Sequence, residues 1–174
     1  MVGAMITRRI PSIASALAAM FTLAFPVALA QDAATNPITF RTEIFVVSEV
    51  TLEDGTKQER FTEATSAIPG QVVEYRIFAT NSGETTLPAG RVQIYGPVQE
   101  MMEFVPNSAT ASSERVLTEF SVDGESFSTP PVLVGEGEDR RVADPNEYVM
   151  IRWTLLVPME PGQEEPFFYR VVVR

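Results

Sequence analysis

Residues 148–157 read Tyr148-Val149-Met150-Ile151-Arg152-Trp153-Thr154-Leu155-Leu156-Val157, and their alternation decides the fold class. Val149, Ile151, Trp153, Leu155 and Val157 fall on one side of an extended chain, with Arg152 and Thr154 on the other. Successive side chains of a β-strand point to opposite faces, so a period of two marks a strand with one face in a core. The large apolar residues of that face predict a core strand anchored by Trp153.

The same signal repeats in both directions. Downstream, Pro158 and Pro161-Gly162 punctuate the chain. Phe167, Tyr169, Val171 and Val173 then alternate with Arg170 and Arg174, so a terminal strand is expected with no sorting tail or anchor after it. Far upstream, residues 38–50 set Ile38, Phe40, Ile44, Val46 and Val50 against Arg41, Glu43 and Glu49. Glu53-Asp54-Gly55-Thr56 supplies turn chemistry, and a polar strand over residues 58–64 completes an expected hairpin. Pro69-Gly70 opens the next strand, residues 71–80, with Val73, Tyr75, Ile77 and Ala79 on one face and Glu74 and Arg76 on the other. Asn81-Ser82-Gly83 closes it. Val92 and Ile94 share a face in a short strand that Gly96-Pro97 is expected to stop.

The middle is less regular, with one brief helix-compatible window near Met101, Met102, Phe104 and Val105. Residues 116–122 and 127–134 flank Asp123-Gly124 and predict another hairpin, while the acidic residues 135–145 predict an exposed loop. Short strands with proline or glycine at nearly every junction, and almost no helical periodicity, give an all-β class. The expected architecture is an immunoglobulin-like antiparallel β-sandwich following an N-terminal signal peptide, with residues 38–174 as a single domain.

The first residues predict the route. Arg8 and Arg9 precede an apolar run over residues 10–29 that ends at Ala28-Leu29-Ala30 before polar Gln31. Basic start, apolar core and small-residue end are the order of a secretory signal, so residues 1–30 read as a signal peptide cleaved after Ala30 and residues 31–37 as a short lead. The run approaches spanning length, which leaves retention as an uncut anchor as the alternative. The surroundings of Arg8-Arg9 fit twin-arginine export poorly. The expected address is outside the cytoplasm: periplasm, cell envelope or extracellular space.

Composition narrows the partners. Cleavage would remove two arginines and no acid, taking the net charge from −10 to −12. So acidic a surface repels phosphate backbones and lacks a basic stripe for nucleic acid or anionic lipid. The acidity reads first as solubility. With no cysteine, the domain depends on its hydrophobic core for stability and has no lipoprotein attachment residue. No second apolar run is long enough to span a bilayer, so no direct membrane span is expected after cleavage.

The order of these turns and strands resembles a family, the conserved repeat domain of bacterial and archaeal surface proteins known as domain of unknown function eleven. The resemblance runs from about Ala67 to Val173. It rests on Pro69-Gly70-Gln71-Val72-Val73-Glu74-Tyr75-Arg76-Ile77, Asn81-Ser82-Gly83, Phe104-Val105-Pro106-Asn107-Ser108, Asp123-Gly124, Ile151-Arg152-Trp153 and Pro161-Gly162. It implies an immunoglobulin-like sandwich serving as spacer or interaction module, with no catalytic residues. Such domains usually stand in tandem, whereas this chain holds one copy, which points to a small partner protein and not a stalk.

The chemistry available is limited. Without histidine or cysteine, serine–histidine and cysteine–histidine catalysis and zinc sites built on those ligands are excluded. A serine–lysine pair would need Lys57, the only lysine, which sits in a polar hairpin as a solvated surface residue would. Carboxylate pairs of the glycosidase kind are formally available, but nothing singles one out. Acidic clusters at Glu53-Asp54, Glu136 with Glu138 and Asp139, Asp144 with Glu147, and Glu164-Glu165 match no defined calcium loop and read as solvated, with weak calcium binding the alternative. No cofactor is expected, and the chain reads as no enzyme.

The candidate interaction residues are aromatic. Phe45, Phe78 and Phe168 fall opposite the main apolar rows of their strands, so they are either covered or offered to a partner. The expected function is a non-catalytic envelope or surface module acting by protein–protein contact, through an apolar face or a strand edge, with envelope or surface proteins or further copies of itself as partners. The alternative is a cell-wall carbohydrate-binding module in which exposed Tyr95 or Tyr148 stacks on sugar rings.

Overall fold

The computed structural model describes residues 37–174; the expected signal, its cleavage point and the lead as far as Asn36 lie outside the described residues. Ten strands follow in order: β1 (Ile38–Thr51), β2 (Lys57–Glu63), β3 (Val72–Asn81), β4 (Gln93–Pro97), β5 (Met102–Phe104), β6 (Val116–Ser121), β7 (Leu133–Val134), β8 (Arg141–Val142), β9 (Met150–Leu155) and β10 (Glu164–Val173). Among the described residues there is no α-helix, only two 3-10 turns at Gly137–Asp139 and Pro145–Glu147.

A five-stranded sheet, ordered β2-β1-β3-β10-β5, faces a three-stranded sheet, β4-β9-β6, and β7-β8 form a small separate ribbon. All pairings are antiparallel. The all-β antiparallel sandwich expected from the alternation is therefore the architecture observed. The β1–β2 hairpin turns where expected: Gly55 has φ +82°, and Asp54 accepts from the Thr56 backbone N–H at 2.9 Å.

The two inner faces meet around Trp153, which is fully buried with its ring centroid 5.6 Å from Phe167 and 5.9 Å from Tyr169. Its Nε1–H donates to the Thr110 carbonyl at 3.1 Å, satisfying the one polar atom the core would otherwise strand. Val73, Ile77, Phe167 and Val171 from the large sheet and Ile94, Ile151 and Leu155 from the small one fill the same layer. Gly96 lets the backbone lie on this cluster, because a Cβ there would come within 2.8 Å of Trp153 and 3.0 Å of Tyr169. Gly96→Ala is accordingly expected to cost about 1–3 kcal/mol, as overpacked cores do, read as a lower urea midpoint at unchanged slope.

Asn81 ends β3 fully buried and ties the crossover to the small sheet. Its Nδ2 donates to the carbonyls of Thr85 and Met159, both at 2.9 Å, and its Oδ1 accepts from the Gly83 N–H at 3.0 Å. The Asn81-Ser82-Gly83 turn is thus a hydrogen-bonded joint between sheets.

Several expectations needed correction. Residues 127–134 do not pair as a second hairpin strand. Only Phe120 and Ser128 form a bridge, since Pro130 and Pro131 have no N–H to continue it, and Leu133–Val134 turns to pair with Arg141–Val142. The expected acidic loop is therefore partly a ribbon. It is closed by a capping box in which Asp144 accepts from the Asn146 N–H at 3.0 Å and Glu147 from the Asp144 N–H at 2.7 Å. Gly96-Pro97 do not stop β4 but end it from within. Strand β9 is shorter than residues 148–157, and Val149 is exposed. Phe40, expected in the buried row of β1, is 53% exposed.

Glu147 is also gripped by Arg141 through two 2.6 Å contacts, and this pairing with the capping bond holds its carboxyl down to about 2. A depressed folded value contributes stability above the unfolded glutamate range, near 4.3, and loses it as pH falls toward 2. Carboxyl-detected NMR titration is expected to find Glu147 ionised at pH 3, and Arg141→Ala to raise its midpoint toward the ordinary range.

Candidate functional site

A β-sandwich offers its surroundings two faces and the free edges of its sheets, and the edges differ sharply here. Strand β2, at one edge of the large sheet, is solvent-exposed and carries Lys57, Glu59, Arg60 and Glu63, charges that discourage another strand from adding. At the other edge, β5 is three residues long. The β6 edge is sealed: Ser113 N–H donates to the Val116 carbonyl at 2.8 Å, Thr118 N–H to Ser112 Oγ at 2.9 Å, and Phe120 and Ser128 exchange backbone bonds of 2.9 and 3.1 Å.

Strand β4 is the contrast, reading Gln93-Ile94-Tyr95-Gly96-Pro97 without a charge. Leu155 N–H donates to the Val92 carbonyl at 3.0 Å and Val98 N–H to the Val149 carbonyl at 2.9 Å, so the even-numbered residues carry the ladder to β9. By the alternation of antiparallel pairing, the N–H and C=O groups of Gln93 and Tyr95 point outward. Pro97, with no N–H, closes the far end.

Beside this edge lies a groove of about 570 Å³ between the sheets, where the small sheet leaves the start of β1 uncovered. Phe40, Tyr75, Ile77 and Tyr169 form its apolar wall, and among the described residues no charged side chain lines it. Tyr75 and Tyr169 stack at 5.1 Å and 13°, with Tyr169 Oη donating to the Pro97 carbonyl at 2.8 Å and Tyr75 Oη to Met102 Sδ at 3.7 Å. Burial pushes both phenols above their usual value, with Tyr75 adding to the effect at Tyr169, so the groove stays uncharged at physiological pH. Phe40 is exposed because it faces this groove.

The outer face of the large sheet holds Phe45, Phe78 and Phe168, but does not join them into an apolar patch. Arg41 lies 3.8 Å over Phe78, and Arg76 lies 4.5 Å over Phe45 and 4.8 Å over Phe61. These guanidinium lids leave Phe45 and Phe78 half-buried. Only Phe168 is freely exposed. The lids are fixed by acids: Glu74, buried despite its place on the polar side of β3, accepts from Arg76 at 2.6 Å and Arg170 at 2.8 Å. Arg170 also grips Glu59 of β2 at 2.7 and 2.8 Å.

That grip lowers the Glu59 pKa: the hydrogen bond from Arg170 is the largest cause, desolvation opposes it, and the Arg170 charge adds the least. The sign follows as for Glu147: the contribution is present above the unfolded glutamate value and is lost as pH falls through the folded one. Glu59→Gln is expected to flatten the fall of the urea midpoint between about pH 5 and pH 3.

Tyr95 and Tyr148 are not brought together. Tyr95 is exposed on the outer face of the small sheet, but it meets Phe127 edge-on at 5.9 Å and 68° and donates its hydroxyl to Gln93 Oε1 at 3.0 Å. It offers no flat platform with a second ring. Tyr148, expected exposed, is only 6% exposed. The Pro145–Glu147 turn folds its ring inward, stacked on Phe120 at 4.8 Å and 29°. Lys57 pairs with Glu49 at 2.6 Å in the open hairpin, and among the described residues no three acidic side chains converge as metal ligands.

Three features escaped the sequence reading: the arginine lids, the sealed β6 edge and the groove. The lids left a trace, because Phe45, Phe78 and Phe168 each have an arginine two or four positions away on the same face. No family model, curated protein or solved structure matches the chain.

Proposed function

We propose that this chain is an exported, non-catalytic module of the cell envelope or surface that acts by protein contact, taking an extended segment of a partner along β4. The β4 edge, uncharged and unpaired among the described residues, lies beside an apolar groove and carries this reading, because the other edges are charged, short or sealed. Backbone groups of Gln93 and Tyr95 would bond the added strand, and its alternate side chains would enter the groove. Each hydrogen bond contributes about 0.5–1.5 kcal/mol and each large apolar side chain fully buried about 1.5–3 kcal/mol, before the cost of ordering the segment. The resemblance to the surface-protein repeat domain supports the same class of function. Among the described residues, no helix is long and apolar enough to cross a membrane.

Export has its own check: intact mass of the protein recovered from the native cell is expected to correspond to a start at Gln31, and a start at Met1 would contradict cleavage. The contact is tested by photo-crosslinking in the native cell from benzoylphenylalanine at position 93 or 168. Adducts from position 93 and none from 168 are expected, and an adduct of twice the chain mass would identify a second copy as the partner. Adducts from 168 alone would place the contact on the large sheet and overturn this reading.

A further inference from the structure

The bare backbone groups of β4 are arranged symmetrically. Gln93 and Tyr95 each keep an N–H and a C=O without a partner among the described residues, while Ile94, between them, directs its own to β9. Beyond them on both sides the groups are used or missing. Arg91 donates its N–H to the Pro88 carbonyl at 3.2 Å, and Pro97 has no N–H and accepts from the Tyr169 hydroxyl at 2.8 Å.

An antiparallel copy of β4, turned about a two-fold axis at Ile94, matches this pattern residue for residue. Gln93 of each copy faces Tyr95 of the other, and such a pair exchanges N–H to C=O bonds in both directions. Arg91 then faces Pro97, where neither has an N–H to offer, and the pairing ends.

Charge decides the occupant. The chain has a net charge of −10, so two copies repel wherever like-charged surfaces meet. Strand β2 carries Lys57, Glu59, Arg60 and Glu63, and residues 40–43 of β1, which β2 does not reach, include Arg41 and Glu43. Strand β4 has no charged residue, and among the described residues no charged side chain lines the groove beside it. A basic stranger would be drawn to carboxylates, and this edge offers none. A second copy meets only neutral groups here. Joining two β4 strands also brings the two grooves mouth to mouth and covers Phe40, which is 53% exposed.

We infer that β4 pairs with β4 of a second copy across a two-fold axis at Ile94, joining the two small sheets into one continuous sheet. The inference rests on the reading of β4 as the pairing edge and names its partner. Such a contact uses the same surface on both copies, so assembly stops at two.

The chain has no cysteine, so cysteines introduced singly at the edge report the register. Facing residues of a hydrogen-bonded antiparallel pair stand about 5.5 Å apart at Cα, within disulfide reach. Equal positions across this axis are offset by a further two residues, about 7 Å along the strand, and fall outside that reach. Gln93→Cys and Tyr95→Cys, each purified as exported and mixed before oxidation, are expected to give the mixed disulfide, while either variant alone stays reduced. Sedimentation equilibrium of the unaltered chain should show one and two chain masses and nothing larger. Tyr95→Pro is expected to raise the dissociation constant about tenfold or more. A single chain mass at about 1 mM would overturn the inference, as would disulfides between equal positions. Growth beyond two copies would also overturn it, because β4 would then be pairing with the bare part of β1 on the next copy. If position 93 crosslinks in the native cell to a different protein, the second copy is excluded and the β4 reading stands. Adducts from position 168 alone would remove both.

Discussion

Asn81→Leu is expected to cost about 2–4 kcal/mol, a large share of the stability of a domain of this size. The side chain is fully buried and makes three hydrogen bonds, to the carbonyls of Thr85 and Met159 and from the N–H of Gly83. Leucine keeps its branched shape, is bulkier, and offers none of them. Each of the three hydrogen bonds lost is worth about 0.5–1.5 kcal/mol, and the Met159 carbonyl keeps the bond from the Leu87 N–H at 2.9 Å. Asp is no substitute, because a carboxylate would face two carbonyl oxygens that need a donor. Urea unfolding by Trp153 fluorescence measures the loss. A change below about 1 kcal/mol would mean that the joint between β3 and the small sheet holds without its asparagine.

Tyr95→Pro should separate binding from stability more cleanly than any other single change. The Tyr95 N–H points away from β9, so proline there breaks no ladder bond, as edge-strand prolines generally do not. It does remove an outward donor and places ring atoms where an added strand would lie. Loss of partner affinity of about tenfold or more is expected, with little change in the unfolding midpoint. Phe168→Ser supplies the opposite control: an exposed ring on the large sheet, its removal is expected to change neither stability by more than about 0.5 kcal/mol nor partner affinity. Affinity of the captured partner by calorimetry decides between the two surfaces.

Strand positions were legible because they depend on local alternation and on local turns. The β1–β2 hairpin around Gly55, the row Val73, Tyr75, Ile77, Ala79 and the burial of Trp153 each follow from residues close together in the chain. What was not legible depends on pairing between distant segments. Arg41 stands directly opposite Phe78 across the β1–β3 ladder, so the lid on that ring exists only once the register is set. Ser112 seals the β6 edge through Thr118, six residues on. Tyr148 continues the apolar stretch of the strand, yet the capped turn at Pro145–Glu147 decides where β9 starts and sends the ring inward. The groove beside β4 is a difference in width between two sheets, which no single segment encodes.

Whether β4 is the edge that pairs decides the function proposed for this chain. Amide hydrogen exchange resolved to single residues, on the free protein and on its complex with the crosslinked partner species, measures this most directly. The free protein is expected to exchange quickly at Gln93 and Tyr95 while Ile94, bonded to β9, exchanges slowly. In the complex Gln93 and Tyr95 should slow by at least tenfold, with Phe168 and Val172 unchanged. Protection that appears on β10 while Gln93 and Tyr95 remain as fast as in the free protein would contradict it.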